Sequence, residues 1–285
     1  MNVSCLILTF NEAANIGLCL EALSWCDDIL VLDSGSTDAT VDIARSYGAR
    51  ILERPFDDFA RQRNFGLDSG EFRHDWVLHL DADEIVTPEF VTDLNALNPQ
   101  PGIDAYRIPA KTILFGRWLK HAGMYPVYQV RLGHRDRLRF IQVGHGQREK
   151  LAAERVAVFD EPYLHYSFSH GLFGWLTKHV RYARDEAALI LEVRKGANEE
   201  GGGADVTSRR RATKAKVARL PVVLRPFIRF LYIYGLKQGF RDGRAGFAYA
   251  FMLSVYEGMI VIFVLESVHG ANGMPGSSHP EEGPG

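Results

Sequence analysis

Two carboxylates one residue apart, Asp81 and Asp83, close the apolar run that begins at Trp76, and Glu84 follows them directly. Carboxylates at i and i+2 just past a strand reach one cation when the chain turns. Mg2+ and Mn2+ are the hard ions that suit such oxygens, with phosphate oxygens and water completing the octahedron. The plain alternative is a solvated acidic loop. A second acidic segment, Asp33-Ser34-Gly35-Ser36-Thr37-Asp38, also ends an apolar run. It reads either as a helix start capped by Ser36 or Thr37 with Asp38 in the first turn, or as a pair of acceptors, Asp33 and Asp38, for a base or a ribose. Thr9-Phe10-Asn11-Glu12 offers the same two readings, with Phe10 as a stacking face.

The elements that must position these groups show two periodicities. Val3–Thr9, Asp28–Asp33, Arg50–Glu53 and Asp75–Asp81 are short apolar runs of strand character. Between them, Asn11 precedes a helical face of Ile16, Leu20 and Leu23, and Thr37–Tyr47 and Phe59–Leu67 read as helices. Strands alternating with helices predict a mainly parallel sheet of right-handed crossovers. Ligands of such sheets sit beyond the carboxyl ends of the strands, which is where the three polar segments converge. From Pro101 to Leu164 short strand-like pieces rich in Gly, Arg and aromatics predict a sheet extension able to hold a second substrate.

The chain has 285 residues, 46% hydrophobic and 24% charged, with a formal net charge of −2. These values exclude disordered, collagenous and disulfide-scaffold classes. Cys5, Cys19 and Cys26 have no CxxC spacing, which speaks against zinc ribbons and fits a reducing compartment. The opening run lacks the basic flank of a signal peptide. Charge is unevenly placed: Arg209–Arg244 holds 11 Lys and Arg against one acid, Asp242. Ala245–Leu265 then runs 21 residues with Glu257 as its single charge. A basic segment beside an apolar one predicts contact with an anionic membrane surface, with a surface-lying or partly inserted helix pair preferred over a clean span. Nucleic acid is not expected. A helix over Phe173–Glu192, a linker near 196–208 and a disordered Gly/Pro/Ser-rich tail over 270–285 complete the layout. Exposed apolar helices would also permit a homo-oligomer.

Taken together, VSCLILTFNEAANI, ILVLDSGSTDAT and WVLHLDADE, with ARQRNFGLDSG between the last two, resemble the family 2 glycosyltransferases. The likeness covers roughly the first 100 residues. It implies a GT-A α/β fold with a Rossmann-like, mainly parallel sheet flanked by helices, and inverting transfer from a nucleotide-diphosphate sugar. Residues 1–165 would form the catalytic domain, with a nucleotide-sugar part in 1–100 and an acceptor part in 101–165. Residues 166–269 would form a C-terminal helical, membrane-associating region. FGRWLKHAGMYPVYQVRL, HYSF and YGLKQGFRDGRAGF further resemble the lipopolysaccharide-core β-glucosyltransferase branch. That branch implies glucose from UDP-glucose, a lipid-linked saccharide acceptor, envelope polysaccharide synthesis, and the cytoplasmic face of the bacterial inner membrane.

On this resemblance Thr9, Asn11, Glu12, Asp33 and Asp38 contact the nucleoside. Arg63, with Gln62 beside it, faces the diphosphate, since a guanidinium suits two phosphate oxygens at once; the alternative is an exposed Arg63 paired with Asp57 or Asp58. Asp83 ligates Mg2+ or Mn2+ directly, and Asp81 contacts ribose or metal. The general base must stand within reach of the acceptor hydroxyl. The related branch carries a Val-His-Glu triplet where this chain reads VGHGQRE (143–149), so Glu149 is the first candidate, His145 the second and Glu84 the third. Gln129, Arg131, His121 and Tyr125 are candidates for the acceptor pocket. Two other functions compete: a nucleotidyltransferase on a related fold, against which Phe10-Asn11-Glu12 stands where a glycine-rich basic loop would be, and a non-catalytic sugar-nucleotide binder.

Overall fold

A computed structural model describes residues 1–143, 146–196 and 222–269. His145, most of the expected linker, Arg209–Arg211 and the tail from Gly270 lie outside the described residues. The chain divides into two units, Met1–His170 and a second from Gly171 onward.

In the first unit, β1 (Ser4–Thr9), β2 (Ile29–Asp33), β3 (Arg50–Glu53) and β4 (Trp76–Asp81) are all parallel, in the order β3-β2-β1-β4. Their register is exact at the end that matters: Thr9 stands opposite Asp33, and Leu8 opposite Asp81. Crossovers α1 (Ile16–Ala22), α2 (Thr40–Ser46) and α3 (Phe59–Ser69) connect them. The first two are shorter than the periodicity predicts, because the residues before them are committed to loop hydrogen bonds. Helix α3 begins where predicted, with the Asp58 carboxylate accepting from the Arg61 amide at 2.8 Å.

Past Asp81 the sheet becomes mixed. A short β5 (Glu84–Ile85) leads into α4 (Pro88–Ala96), capped by Thr87 with Pro88 in its first turn. The chain continues as β6 (Ala105–Leu114), β7 (Arg117–Trp118), β8 (Tyr128–His134), β9 (Phe140–Val143), β10 (Gly146–Glu149), β11 (Val156–Val158) and β12 (Tyr163–His165). Strand β8 pairs antiparallel with both β4 and β6, and β12 pairs parallel with β6 and antiparallel with β5. Strands β9 and β10 form a separate hairpin. One core layer packs Cys5, Ile7, Val31, Leu78 and Leu80 against α1 and α4; the other packs Leu6, Leu30, Leu32 and Val77 against α3. Alternate residues of β1 thus serve opposite faces, as a sheet covered on both sides requires.

The second unit contains α5 (Gly171–Gly196), α6 (Arg225–Phe230) and α7 (Gly243–His269). Ala183 and Ala187 of α5 pack on Ile260 and Val264 of α7. Glu257, the single charge in the apolar run, is not left bare: Arg225 at the start of α6 pairs with it at 2.8 Å. Gly246 is held by a close approach, since a side chain there would run into the Gly239 carbonyl. Among the described residues the stretch Gly239–Val268 is long and apolar enough to cross a membrane, and Phe173, Phe227, Leu231, Leu236 and Ile262 are strongly exposed.

Candidate active site

The three polar segments meet at the carboxyl ends of β1, β2 and β4. The loop after β2 is an internally closed network. The Asp33 carboxylate accepts from the Thr9 hydroxyl at 2.9 Å, the Ser36 hydroxyl at 2.5 Å, and the Gly35 and Ser36 amides at 2.9 and 2.7 Å. Gly35 sits at φ +90°, a conformation that closes this turn and favours glycine. Asn11, itself left-handed at φ +55°, accepts from the Thr37 amide at 2.8 Å. The Asp38 carboxylate accepts from the Ala13 and Thr40 amides and from the Thr40 hydroxyl. Glu12 takes the Asn15 amide at 2.6 Å and lies 3.0 Å from the His170 ring. Gln62 spans Ser34, the Arg54 carbonyl and the Arg54 guanidinium. Thr9, Asn11, Glu12, Asp33 and Asp38 are therefore brought together, and their side chains are spent largely on one another. Phe10 stands beside them with its ring exposed.

The loop after β4 is built from ions. Arg63 is buried, not on an exposed helix face; Asp57 and Asp58 pair with Arg54 and Arg61 instead. Its guanidinium donates to Asp81 at 2.7 Å, and Arg131 from β8 donates to the other Asp81 oxygen at 2.8 Å. Arg131 also binds Glu84, whose second oxygen accepts the Asp81 amide at 3.0 Å. Burial pushes the Asp81 carboxyl upward, but Arg131 and Arg63 outweigh it and hold the group well below the usual carboxylate range. Burial raises Glu84 to about 7 against the pull of Arg131, and the Asp81 carboxylate adds to the rise. Glu84 is sealed in this network and does not line the cleft described below.

Asp83 is placed differently. Its carboxylate lies 3.4 Å from Nε2 of His165, which β12 delivers by pairing with β5. Burial lowers the His165 pKa, while Asp83 and Glu84 raise it by more, leaving it above the ordinary histidine value. Asp83 and His165 together are a carboxylate and an imidazole converging on one point, a donor set that fits a divalent cation. Asp81, with both oxygens on guanidinium groups, does not offer the same fit. No group of three or more His, Cys, Asp or Glu able to hold a metal occurs among the described residues, so these two would leave most of a cation's coordination to substrate and water. The sequence reading did not name His165 as a site residue; its place in HYSF was the available signal.

Beside Asp81 opens a cleft of about 500 Å³, lined by α3, β6, β8, β9 and β10. Arg63, Asp81, Gln129, Arg131 and Glu149 line it; His121 and Tyr125 do not. Tyr125 instead packs edge-on against Trp118. Gln147, with its amide oxygen toward Arg63 Nε, accepts from it and donates to the Phe59 carbonyl at 3.0 Å.

Residues 4–139, just under half of the chain, match the family model described as Glycosyl transferase family 2. The fold is of the GT-A class, as the sequence implies. The lipopolysaccharide core biosynthesis glycosyltransferase LpsC of Rhizobium meliloti is 29% identical over 51% of this chain and 52% of its own. An uncharacterized glycosyltransferase of Rickettsia bellii is 33% identical over 36% of this chain and 35% of its own. These matches thus span about a third to a half of the relatives' length. Among solved structures, glucosyl-3-phosphoglycerate synthase from Mycobacterium tuberculosis is similar with a TM-score of 0.44 and 22% identity, over 58% of this chain and 72% of that one.

Proposed function

We propose that the protein transfers a hexose, glucose from UDP-glucose being the first choice, with inversion, to a lipid-linked saccharide of lipopolysaccharide or another envelope polysaccharide. The observation that carries this reading is the contrast within DADE. Asp81 has one oxygen on Arg63 and the other on Arg131, while Asp83 pairs with no guanidinium and has the His165 ring beside it. The likeness to LpsC supports the envelope assignment.

In this reading the loops after β1 and β2 hold the nucleoside, with Phe10 stacking on the base. Arg63 binds the diphosphate. A divalent cation held by Asp83 and His165 would neutralise charge on the departing diphosphate. Glu149 takes the proton from the acceptor hydroxyl. That oxygen then bonds to the anomeric carbon from the face opposite the leaving group, as the bond to the diphosphate breaks and its electron pair leaves with UDP. The exposed apolar side chains of the second unit, with the basic residues around them, hold the protein on the cytoplasmic leaflet of the inner membrane.

The test is thermal stability of the full chain against UDP, GDP, ADP and their sugars, with and without Mn2+, since a ligand of the native state raises the midpoint with its concentration over Kd. A shift from UDP that grows with Mn2+ is expected. No shift from any nucleotide would overturn the reading.

A further inference from the structure

The cleft holds more positive charge than its own carboxylates use. Arg63 and Arg131 are balanced inside the buried network by Asp81 and Glu84. Two further arginines line the same cleft, Arg107 on β6 and Arg148 on β10, and both are exposed. Neither forms an ion pair with another described residue. The Arg107 guanidinium lies 5.8 Å from the centre of the Tyr128 ring, which steadies it without neutralising it. Glu149 is the remaining carboxylate on the lining. Deeper in the cleft, Nη1 of the buried Arg63 has no hydrogen-bond partner.

We propose that the acceptor saccharide is anionic, and that Arg107 and Arg148 bind a phosphate or carboxylate substituent on it. Arg63 serves the donor diphosphate, so these two guanidinium groups are the ones left for the second substrate. They come from different sheets, the long mixed sheet and the β9–β10 hairpin, and a planar fork on each suits an anion with several acceptor oxygens. Glu149 on the same lining keeps the cleft from being a bare anion trap: its charge repels an anionic group placed on it and leaves room for a hydroxyl.

The inference rests on the glycosyl-transfer reading, and the experiment separates the two. The full chain, saturated with UDP and Mn2+, is titrated calorimetrically with glucose 6-phosphate, glucuronate and glucose. At least one anionic probe is expected to bind where glucose does not, and the stronger of the two identifies phosphate or carboxylate as the group read. The double variant Arg107→Gln, Arg148→Gln should weaken that binding by at least about tenfold while leaving UDP affinity unchanged. Equal binding of glucose, no binding of any probe, or a parallel loss of UDP affinity in the variant would overturn the inference, the last because the arginines would then serve the donor. Failure of the unmodified protein to bind UDP would overturn the glycosyl-transfer reading itself, and the inference with it.

Discussion

Two acidic loops end the strands on either side of β1 in one parallel sheet, and they put their carboxylates to opposite uses. After β2, Asp33 accepts four hydrogen bonds, all from residues of its own loop or of β1. After β4, Asp81 takes two guanidinium groups from distant elements, and Asp83 meets an imidazole. The first loop is closed by donors of its own turn together with Thr9 from the adjoining strand β1. The second depends on long-range partners and leaves one carboxylate available. Aspartates at equivalent places are therefore not interchangeable: a saturated carboxylate shapes a pocket, and an underused one can act in it.

The largest effect should come from the underused group. Asp83→Ala is expected to lower sugar transfer by about 10²–10³-fold, the loss seen when one electrostatic stabiliser of a transition state is removed, with an unchanged melting temperature. Chelation of divalent cations should cost the unmodified enzyme a similar factor and the variant little. Full turnover in Asp83→Ala would place the chemistry elsewhere.

Next in size is the lock on Asp81. Arg131→Met leaves Asp81 with Arg63 but strips the buried Glu84 of its cationic partner, a change that costs about 3–5 kcal/mol when one member of a buried pair is deleted. Urea unfolding would measure it. A loss below about 1 kcal/mol, the range of exposed pairs, would mean that the network is solvated and that Asp81 is as free as Asp83.

The contrast between the loops was only half legible in the sequence. The four parallel strands, α3 and the convergence of DSGSTD and DADE follow from period and punctuation, which act over a few residues. Arg131 and His165 reach Asp81 and Asp83 from 50 and 82 positions away, through the β4–β8 and β5–β12 pairings. No spacing rule encodes such pairings, so the sequence offers Arg131 as an acceptor-pocket candidate, which does line the cleft, without its ties to Asp81 and Glu84, and it does not single out His165. Asp33 was read as a ligand acceptor because its saturation depends on Thr9 being in register across β1, which only the sheet reveals. Helix α7 was visible as an apolar run; that Arg225 would neutralise Glu257 was not.

A smaller effect should follow in the saturated loop. Asp33→Asn keeps the shape but replaces a charged acceptor with a neutral amide, one half of which now faces donors. Hydrogen bonds to charged groups contribute about 1.5–3 kcal/mol each, and partial retention of the four makes a total loss of about 2 kcal/mol in urea unfolding the expectation. Transfer by the folded fraction should fall far less than in Asp83→Ala. An equal fall would mean that Asp33 also meets the nucleoside.

The smallest effect uses a third aspartate to calibrate the other two. Asp28 sits at the far end of β2, buried, with the Ser4 hydroxyl at 2.5 Å and the Arg73 amide and Arg50 guanidinium each at 2.8 Å. Burial pushes its pKa up, and these donors outweigh burial and leave it below the ordinary aspartate value. A carboxyl lowered on folding stabilises the native state fully above its unfolded pKa of about 3.9 and loses that contribution as the pH falls through the folded value. The urea midpoints of the unmodified protein and Asp28→Asn should therefore differ most at neutral pH and converge below about pH 4, with sugar transfer at neutral pH unaffected in the folded variant. A constant gap across the acid range would mean that the hydrogen bonds hold Asp28 by shape alone. The same donors would then be a poor guide to how firmly Asp33 is held, and the line drawn between saturated and available carboxylates would have to rest on Asp81 and Asp83.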